Sequence, residues 1–301
     1  MQQIQWQDRF KIGVEAIDQA HQKLFSIVGK IMELYVERHK SKFASVEGIK
    51  YFKAYALQHF SEEEAYMREI GYPGYLSHKR HHDRMRHETL PALEQELYAT
   101  DFSTEAVQRF IGVCTGWLTG HIMIEDRAIT GRNVYRSMPL ELSGEAEAVQ
   151  AVIIYPLQEL FGINVQFAGA FSHEDLIADA LYYELIYGAG QGRVLRLVLV
   201  IRESLLLRAA GVMFGIELCA MNEMVRFAIL EIAQGLLQRA AACFGGGADA
   251  YQLEQDQFLT AAAYYQMCRE RTPAYSLLFH VERDCFALCI DPLPVSDRLE
   301  P

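Results

Sequence analysis

The sequence predicts two architectures in one chain. Residues 1–136 read as an all-α four-helix bundle, and residues 146–301 as an α+β domain with an antiparallel sheet and helices. Three observations carry this. Apolar residues recur at helical spacing from Ile17 to Leu118, with no strand-like run among them. The stretch "SMPLELSGEAEA", with Pro139 and Gly144, breaks the pattern and marks a linker over 137–145. Only beyond it do runs rich in β-branched residues occur, "INVQFAGAF" and "RVLRLVLVIR".

In the first helix the stripe is Ile17, His21, Leu24, Phe25, Val28, Ile31, Met32 and Tyr35. In the second it is Phe52, Tyr55, Ala56, His59, Phe60, Glu63 and Met67. The turn "GYPGY" follows, and the third helix carries His78, His82 and Met85. The fourth opens at "DFSTEA", where Ser103 is suited to cap the helix, and runs through Phe110, Ile111, Cys114, Trp117, Leu118 and His121. Short connections between four amphipathic helices predict antiparallel packing. After the linker the pattern predicts a helix from Glu145 to Phe161 and the two strands quoted above. Helices over Glu203–Phe214 and Cys219–Phe244 follow, with a closing strand pair, "YSLLFHVE" and "DCFALCID".

Composition excludes several classes. A net charge of −11 argues against a nucleic-acid binder, which presents a basic face. No apolar run reaches the ~20 residues that span a bilayer, and the start "MQQIQWQDRF" lacks the pattern of a secretory signal. The cysteines at 114, 219, 243, 268, 285 and 289 are scattered without CxxC pairs. They read as reduced thiols of a cytoplasmic protein.

A mostly apolar stripe normally excludes imidazoles and carboxylates, because an unpaired buried polar group costs several kcal/mol. Yet every bundle helix places a histidine on its stripe: His21, His59, His78 with His82, and His121. Residues i and i+4 stack on one helix face, so His59 reaches the same point as Glu63, and His78 the same point as His82. A single histidine on an apolar face is ordinarily a hydrogen-bonded core residue. Five on four inward stripes, with an acid at i+4, point to a metal. His39, His81, His87, His173 and His280 have no such support, although His81 adjoins His82. Asp126 lies five residues after His121, about 140° around an ideal helix, while Glu125 shares the histidine's face more directly. Spacing alone leaves both open. Five imidazoles with carboxylates suit iron, manganese, copper or zinc, and the number of ligands favours a pair of ions. Calcium, which takes oxygen ligands, does not fit.

The residues Trp6, Gly13, Asp18 and His21, with "HFSEEE", "GYP", "HKRHH" and "HIMIED", resemble the bacteriohemerythrins over residues 4–131. The resemblance implies the ligand set His21, His59, Glu63, His78, His82, His121 and Asp126, and so favours Asp126 over Glu125. It implies two non-haem iron ions per chain, bridged by both carboxylates and by an oxo or hydroxo group. His78, His82 and His121 then serve one iron, and His21 and His59 the other. One position on the second iron stays open for dioxygen. Trp117 and Ile122 are candidates for the wall of that oxygen pocket, and each is equally at home as ordinary core.

Residues from about 146 to 291 are similar to the CheC/CheX/FliY family of response-regulator phosphatases, chiefly its CheX-like branch. The likeness lies in "EAVQAVIIYPLQELFGINV", in the strand and helix after it, and in "MVRFAILEIAQGLLQRAA". The family places an acid, then Glu after three residues, then Asn after two more. The positions here hold Phe227, Glu231 and Gln234. The acid is missing and Asn is replaced by Gln, which carries the same amide on a stem one methylene longer. Glu231 and Gln234 are the candidate catalytic pair. Against this, they read as solvated helix residues in a domain retained for binding.

Together the resemblances imply an oxygen- or redox-responsive signalling protein whose CheX-like domain meets a CheY-like response regulator. One alternative is an oxygen-regulated phosphatase using Glu231 and Gln234. Another is an oxygen or iron carrier with a C-terminal dimerisation domain. The expected assembly is a homodimer held by residues beyond 145, with "RVLRLVLVIR" and "DCFALCID" supplying an apolar strand for the joint.

Overall fold

The computed structural model describes residues 6–36, 42–131, 144–172, 177, 179–215, 217–218, 220–244 and 251–293. The expected linker falls outside them except for its last two residues. The chain forms two compact units. One comprises Met1–Ser137 with Ala210–Ile232, the other Met138–Ala209 with Ala233–Pro301.

The first unit holds four helical rods. They are α1 (Glu15–Val36), α2 (Lys42–Glu69), the third rod, α3 (Tyr75–Arg84) with α4 (Leu90–Ala99), and the fourth, α5 (Thr104–His121) with α6 (Arg127–Ile129). Each of the last two contains one π-helical turn, Met85–Thr89 and Ile122–Asp126, where hydrogen bonds run from i to i+5. Local chemistry sets the boundaries. Gly71, at φ +63°, takes the left-handed conformation that turns the chain after α2. The Ser103 hydroxyl accepts a hydrogen bond from the Ala106 N–H and caps α5 as predicted. Before α1, Asp18 accepts from the N–H groups of Ile12 (2.7 Å) and Gly13 (3.0 Å), folding the N-terminal segment back over the bundle. The core is the apolar stripes facing inward: Leu24, Phe25, Val28, Phe52, Phe60, Phe110 and Ile111 are buried.

The same unit includes the end of α8 (Glu203–Phe214) and the first half of α9 (Glu223–Ala242). Here the packing is backbone to backbone. A Cβ at Gly112 would lie 2.3 Å from the Met224 carbonyl oxygen, and one at Gly116 would lie 2.4 Å from that of Ala228. Only glycine permits this approach of α5 to α9. The Gln7 side chain donates to the Val212 carbonyl oxygen at 2.9 Å, and so does Arg9 at 2.8 Å.

The second unit is built on one antiparallel six-stranded sheet. Its strands are β1 (Val165–Ala170), β2 (Ala180–Ala189), β3 (Val194–Arg202), β4 (Tyr251–Leu259), β5 (Tyr275–Val281) and β6 (Asp284–Leu293), in the order β1-β5-β6-β3-β2-β4. The α7 helix (Glu145–Phe161) and α10 (Ala261–Glu270) complete it. On one face Tyr182, Val198, Val200, Ala287 and Cys289 form a core with Tyr264 and Cys268 of α10. The α+β class with an antiparallel sheet is as the sequence predicts. The predicted strand joint is not available. "RVLRLVLVIR" and "DCFALCID" are β3 and β6, which are interior strands hydrogen-bonded on both sides, so neither has a free edge. The edges are β1 and β4. The helix expected from Cys219 begins instead at Glu223, because the Asn222 side chain accepts from the Val225 N–H and caps it there. No helix among the described residues is long and apolar enough to cross a membrane.

Candidate metal centre

All seven side chains named by the sequence reading converge inside the first unit. His21, Glu63, His78, His82 and Asp126 have no accessible surface, and His59 and His121 very little. They form two groups that share Glu63. Ligand atoms of Glu63, His78, His82 and His121 lie within 4.8 Å of one another, and so do those of His21, His59 and Glu63. Asp126 spans both groups. Its Oδ1 is 3.0 Å from His121 Nε2 and 3.3 Å from His78 Nε2, while its Oδ2 is 3.2 Å from His21 Nε2.

Asp126, not Glu125, faces the histidines, and the backbone explains it. An α-helix would carry position i+5 about 140° away from His121. The π-helical turn Ile122–Asp126 widens the winding, with the Arg127 N–H bonded to the Ile122 carbonyl, and brings the fifth residue round to the same side. Glu125 is directed to the half-exposed His81, whose Nε2 is 3.7 Å away. Thus His81 lies outside the group and His82 within it.

The cluster is poorly satisfied by the protein alone. His82 Nε2 and His78 Nε2 each lie 3.0 Å from His121 Nε2, so three ring nitrogens confront one another. Two unprotonated nitrogens repel at that distance, and protons can satisfy only some of the contacts. Both oxygens of Glu63, both of Asp126, and both ring nitrogens of His21 have no hydrogen-bond partner, although several lie within 3.5 Å of a neighbour. Distance without alignment does not make a hydrogen bond. Buried unpaired groups of this kind are costly, and each of the two groups could hold a metal ion.

Electrostatics agree. Burial pushes His59 and His121 down to about 3, so both rings are neutral at pH 7, the form that ligates metal. Burial raises the Glu63 carboxyl, and so does Asp126, yet His78, His82 and His59 outweigh both and hold it well below the usual carboxylate range. For Asp126 burial is likewise outweighed, by His121 and His21. For His82 burial acts downward, but Glu63 and Glu64 overcome it and raise the ring. Two buried carboxylates held ionised, with the neutral rings of His59 and His121 beside them, suit a cation.

Aromatic rings wall the centre. Trp117 stacks on His121 (4.3 Å, 12°) and touches Phe60 (5.2 Å), while Phe60 stacks on His82 (4.4 Å, 14°). Trp117 therefore stands beside the three-histidine group. Ile122 is buried as the first residue of the π-helical turn. On the two-histidine side Trp6 lies 6.4 Å from His21, a neighbour that spacing did not single out.

The Hemerythrin HHE cation binding domain family matches residues 12–131. A bacteriohemerythrin of Clostridium acetobutylicum is 34% identical over 128 residues, which are 40% of this chain and 95% of the relative. The chain belongs to the hemerythrin family. A second bacteriohemerythrin, from Stenotrophomonas maltophilia, is 31% identical over 124 residues, covering 41% of this chain and 76% of that protein. Among solved structures, the C-terminal half is similar to chemotaxis protein CheX from Vibrio vulnificus (13% identity, TM-score 0.37, 49% of this chain and 99% of that one). It is also similar to a CheC-like superfamily protein from Shewanella (12%, TM-score 0.38, 51% and 99%). The hemerythrin match contains all seven clustered residues.

Outside the hemerythrin region, the other candidate pair is engaged within its surroundings. Burial raises the Glu231 carboxyl, opposed by the charge of Arg84. The Gln234 side chain donates from Nε2 to the Tyr183 hydroxyl at 2.8 Å, and that hydroxyl donates to Asp256 Oδ2 at 2.8 Å. Phe227, at the position where a family acid is expected, packs under the guanidinium groups of Arg109 (4.7 Å) and Arg226 (4.9 Å).

Proposed function

We propose that this chain is an oxygen- or redox-responsive signalling protein, with a hemerythrin domain as the input and a CheX-like domain as the output. The observation that carries the reading is the convergence of five histidines, Glu63 and Asp126 into one buried and poorly satisfied centre. His78, His82 and His121 would hold one ion and His21 and His59 the other, with Glu63 and Asp126 shared between them. Two non-haem iron ions there supply a reversible response to dioxygen or to redox state. The chain's own part is to hold the ligands deprotonated, to fix their directions, and to keep water out with Trp117, Phe60 and Ile122.

The signal would leave through α5. That helix ends at His121, runs through the π-helical turn to Asp126, and meets α9 by direct backbone contact at Gly112 and Gly116. Packed backbones without intervening side chains have little slack, so a displacement of α5 is passed on. The proposed output is binding of a CheY-like response regulator. Gln234 bonds to Tyr183 instead of standing free to align a water molecule, which favours binding over aspartyl-phosphate hydrolysis. We place the domain boundary at 137–145 and expect a homodimer through residues beyond 145.

The test is an iron count with an absorption spectrum of aerobically purified protein. Expected are two irons per chain and near-ultraviolet charge-transfer bands that shift with azide and bleach with dithionite. A protein that holds one zinc and no iron after iron-replete expression refutes the reading.

A further inference from the structure

His82 differs from its neighbours in what lies behind it. Its Nε2 faces the cluster, while its Nδ1 lies 3.2 Å from Oε1 of Glu64. By contrast, Nδ1 of His21 and Nδ1 of His78 have no hydrogen-bond partner. Glu64 is buried, yet it lies outside the seven-residue set. It is anchored by Arg86, whose Nη2 is 2.9 Å from the same oxygen and whose Nη1 is 2.6 Å from Asp83 Oδ1. Asp83 is paired in turn with Lys79. The Arg86 guanidinium also lies 5.8 Å from the centre of the Phe60 ring, which stacks on His82. The imidazole is thus fixed at its edge by a carboxylate and on its face by an aromatic ring, and one arginine steadies both.

We propose that Glu64, held by Arg86, is the positioning residue of His82 and makes it a stronger donor than His78, its neighbour in the three-histidine group. The inference rests on the metal-binding reading above and concerns how that site is tuned. A carboxylate that accepts the Nδ1 hydrogen fixes the tautomer, leaves Nε2 as the ligating atom, and raises its basicity. His21 and His78 lack such a partner, so the effect falls on His82 and not on them. Glu64 places negative charge behind one donor and favours the higher oxidation state on the side of His78, His82 and His121.

Glu64→Gln tests this, because the amide removes the charge and keeps the shape. The comparison is with the natural chain and with Glu62→Gln, an exposed neighbour on the same helix turn. In the iron-loaded chains, Glu64→Gln should keep its far-ultraviolet circular dichroism and its iron content. It should lose iron to a chelator about 10- to 100-fold faster, the usual effect of removing an outer-sphere partner. Its reduction potential should rise, and Glu62→Gln should match the natural chain in both readouts. Equal chelator rates and equal potentials for Glu64→Gln and the natural chain overturn the proposal. A measurement needing no variant stands beside it. Nitrogen-15 resonance of the metal-free natural chain should show His82 Nδ1 protonated, and an unprotonated Nδ1 overturns the proposal even if Glu64→Gln fails to fold. A natural chain that takes up no iron refutes the metal-binding reading and this inference with it. A loaded natural chain with an indifferent Glu64→Gln refutes this inference alone.

Discussion

His121 and Asp126 are five residues apart in sequence, yet Nε2 of the one lies 3.0 Å from Oδ1 of the other, because the backbone between them winds as a π-helical turn. This relationship decides which acid belongs to the centre. Asp126→Asn should weaken iron retention by more than the ~10–100-fold typical of an outer-sphere change. Glu125→Gln should leave iron content unchanged. Iron assays on the two purified variants check this, and loss of iron from Glu125→Gln alone would reverse the assignment.

The third helix gives a matching pair. His82 is buried in the cluster, while the neighbouring His81 is half-exposed and directed to Glu125. His82→Ala should purify without its full iron, and His81→Ala should retain it. Iron content and the near-ultraviolet spectrum report on both, and the opposite pattern would show that the register of this helix is wrong.

The α5–α9 contact predicts opposite signs for glycine substitutions. Gly112→Ala gains up to ~1 kcal/mol of helix propensity. Its Cβ, however, would sit 2.3 Å from a carbonyl oxygen and 3.0 Å from the Phe227 Cβ, and overpacking of this kind costs ~1–3 kcal/mol. The clash involves backbone, so the loss should prevail and the melting temperature should fall. An added Cβ at Gly235, in α9, meets nothing within 4 Å, and Gly235→Ala should be stabilising by ~0.4–1 kcal/mol. Thermal unfolding of the two variants decides the matter. If Gly112→Ala were as stable as Gly235→Ala, the close approach would be wrong.

Alkaline pH should act through buried thiols. Burial raises the Cys289 thiol to about 11, above its ordinary 9.0. The folded chain therefore keeps this proton where the unfolded chain releases it. The contribution of Cys289 is present in full below pH 9 and is lost as the pH rises from 9 through 11. Chemical denaturation between pH 8 and pH 11 should show stability falling across that window, with a smaller fall in Cys289→Ala. At pH 8, iodoacetamide should label the half-buried Cys243 and Cys285 before Cys114, Cys268 or Cys289. Early labelling of Cys289 would contradict its burial.

How much of this was legible follows from which features obey α-helical spacing. The pairs His59/Glu63 and His78/His82 are i,i+4 pairs, so an ideal helix places each on one face, as the structure does. The choice of Asp126 over Glu125 was not readable from spacing, because nothing local in "HIMIEDRA" announces a π-helical turn, and only resemblance pointed to it. Glu64 was passed over for a related reason. It follows Glu63 by one residue, about 100° around α2, and meets an imidazole only because His82 arrives from another helix. In the second unit β2 went unread, because most of its length is buried on both faces and shows no alternation. The β4 strand went unread for the opposite reason, since "YQLEQDQFL" is largely exposed and polar. The apolar character of β3 and β6 was read correctly. Its meaning, interior and not edge, depended on the sheet order, which a sequence does not carry.

The chain contains two tryptophans, and the centre has both as neighbours: Trp117 is stacked 4.3 Å from His121, and Trp6 lies 6.4 Å from His21. All the indole emission of the molecule therefore originates beside the clustered histidines, one source at each end. An ion that absorbs in the near ultraviolet or has unpaired electrons would quench both sources at such range, while zinc, with a filled shell, would leave them bright. The protein thus carries its own optical gauge of occupancy. Replacing Trp117 or Trp6 with Phe, one at a time, would resolve the filling of the three-histidine side from that of the two-histidine side without any added label.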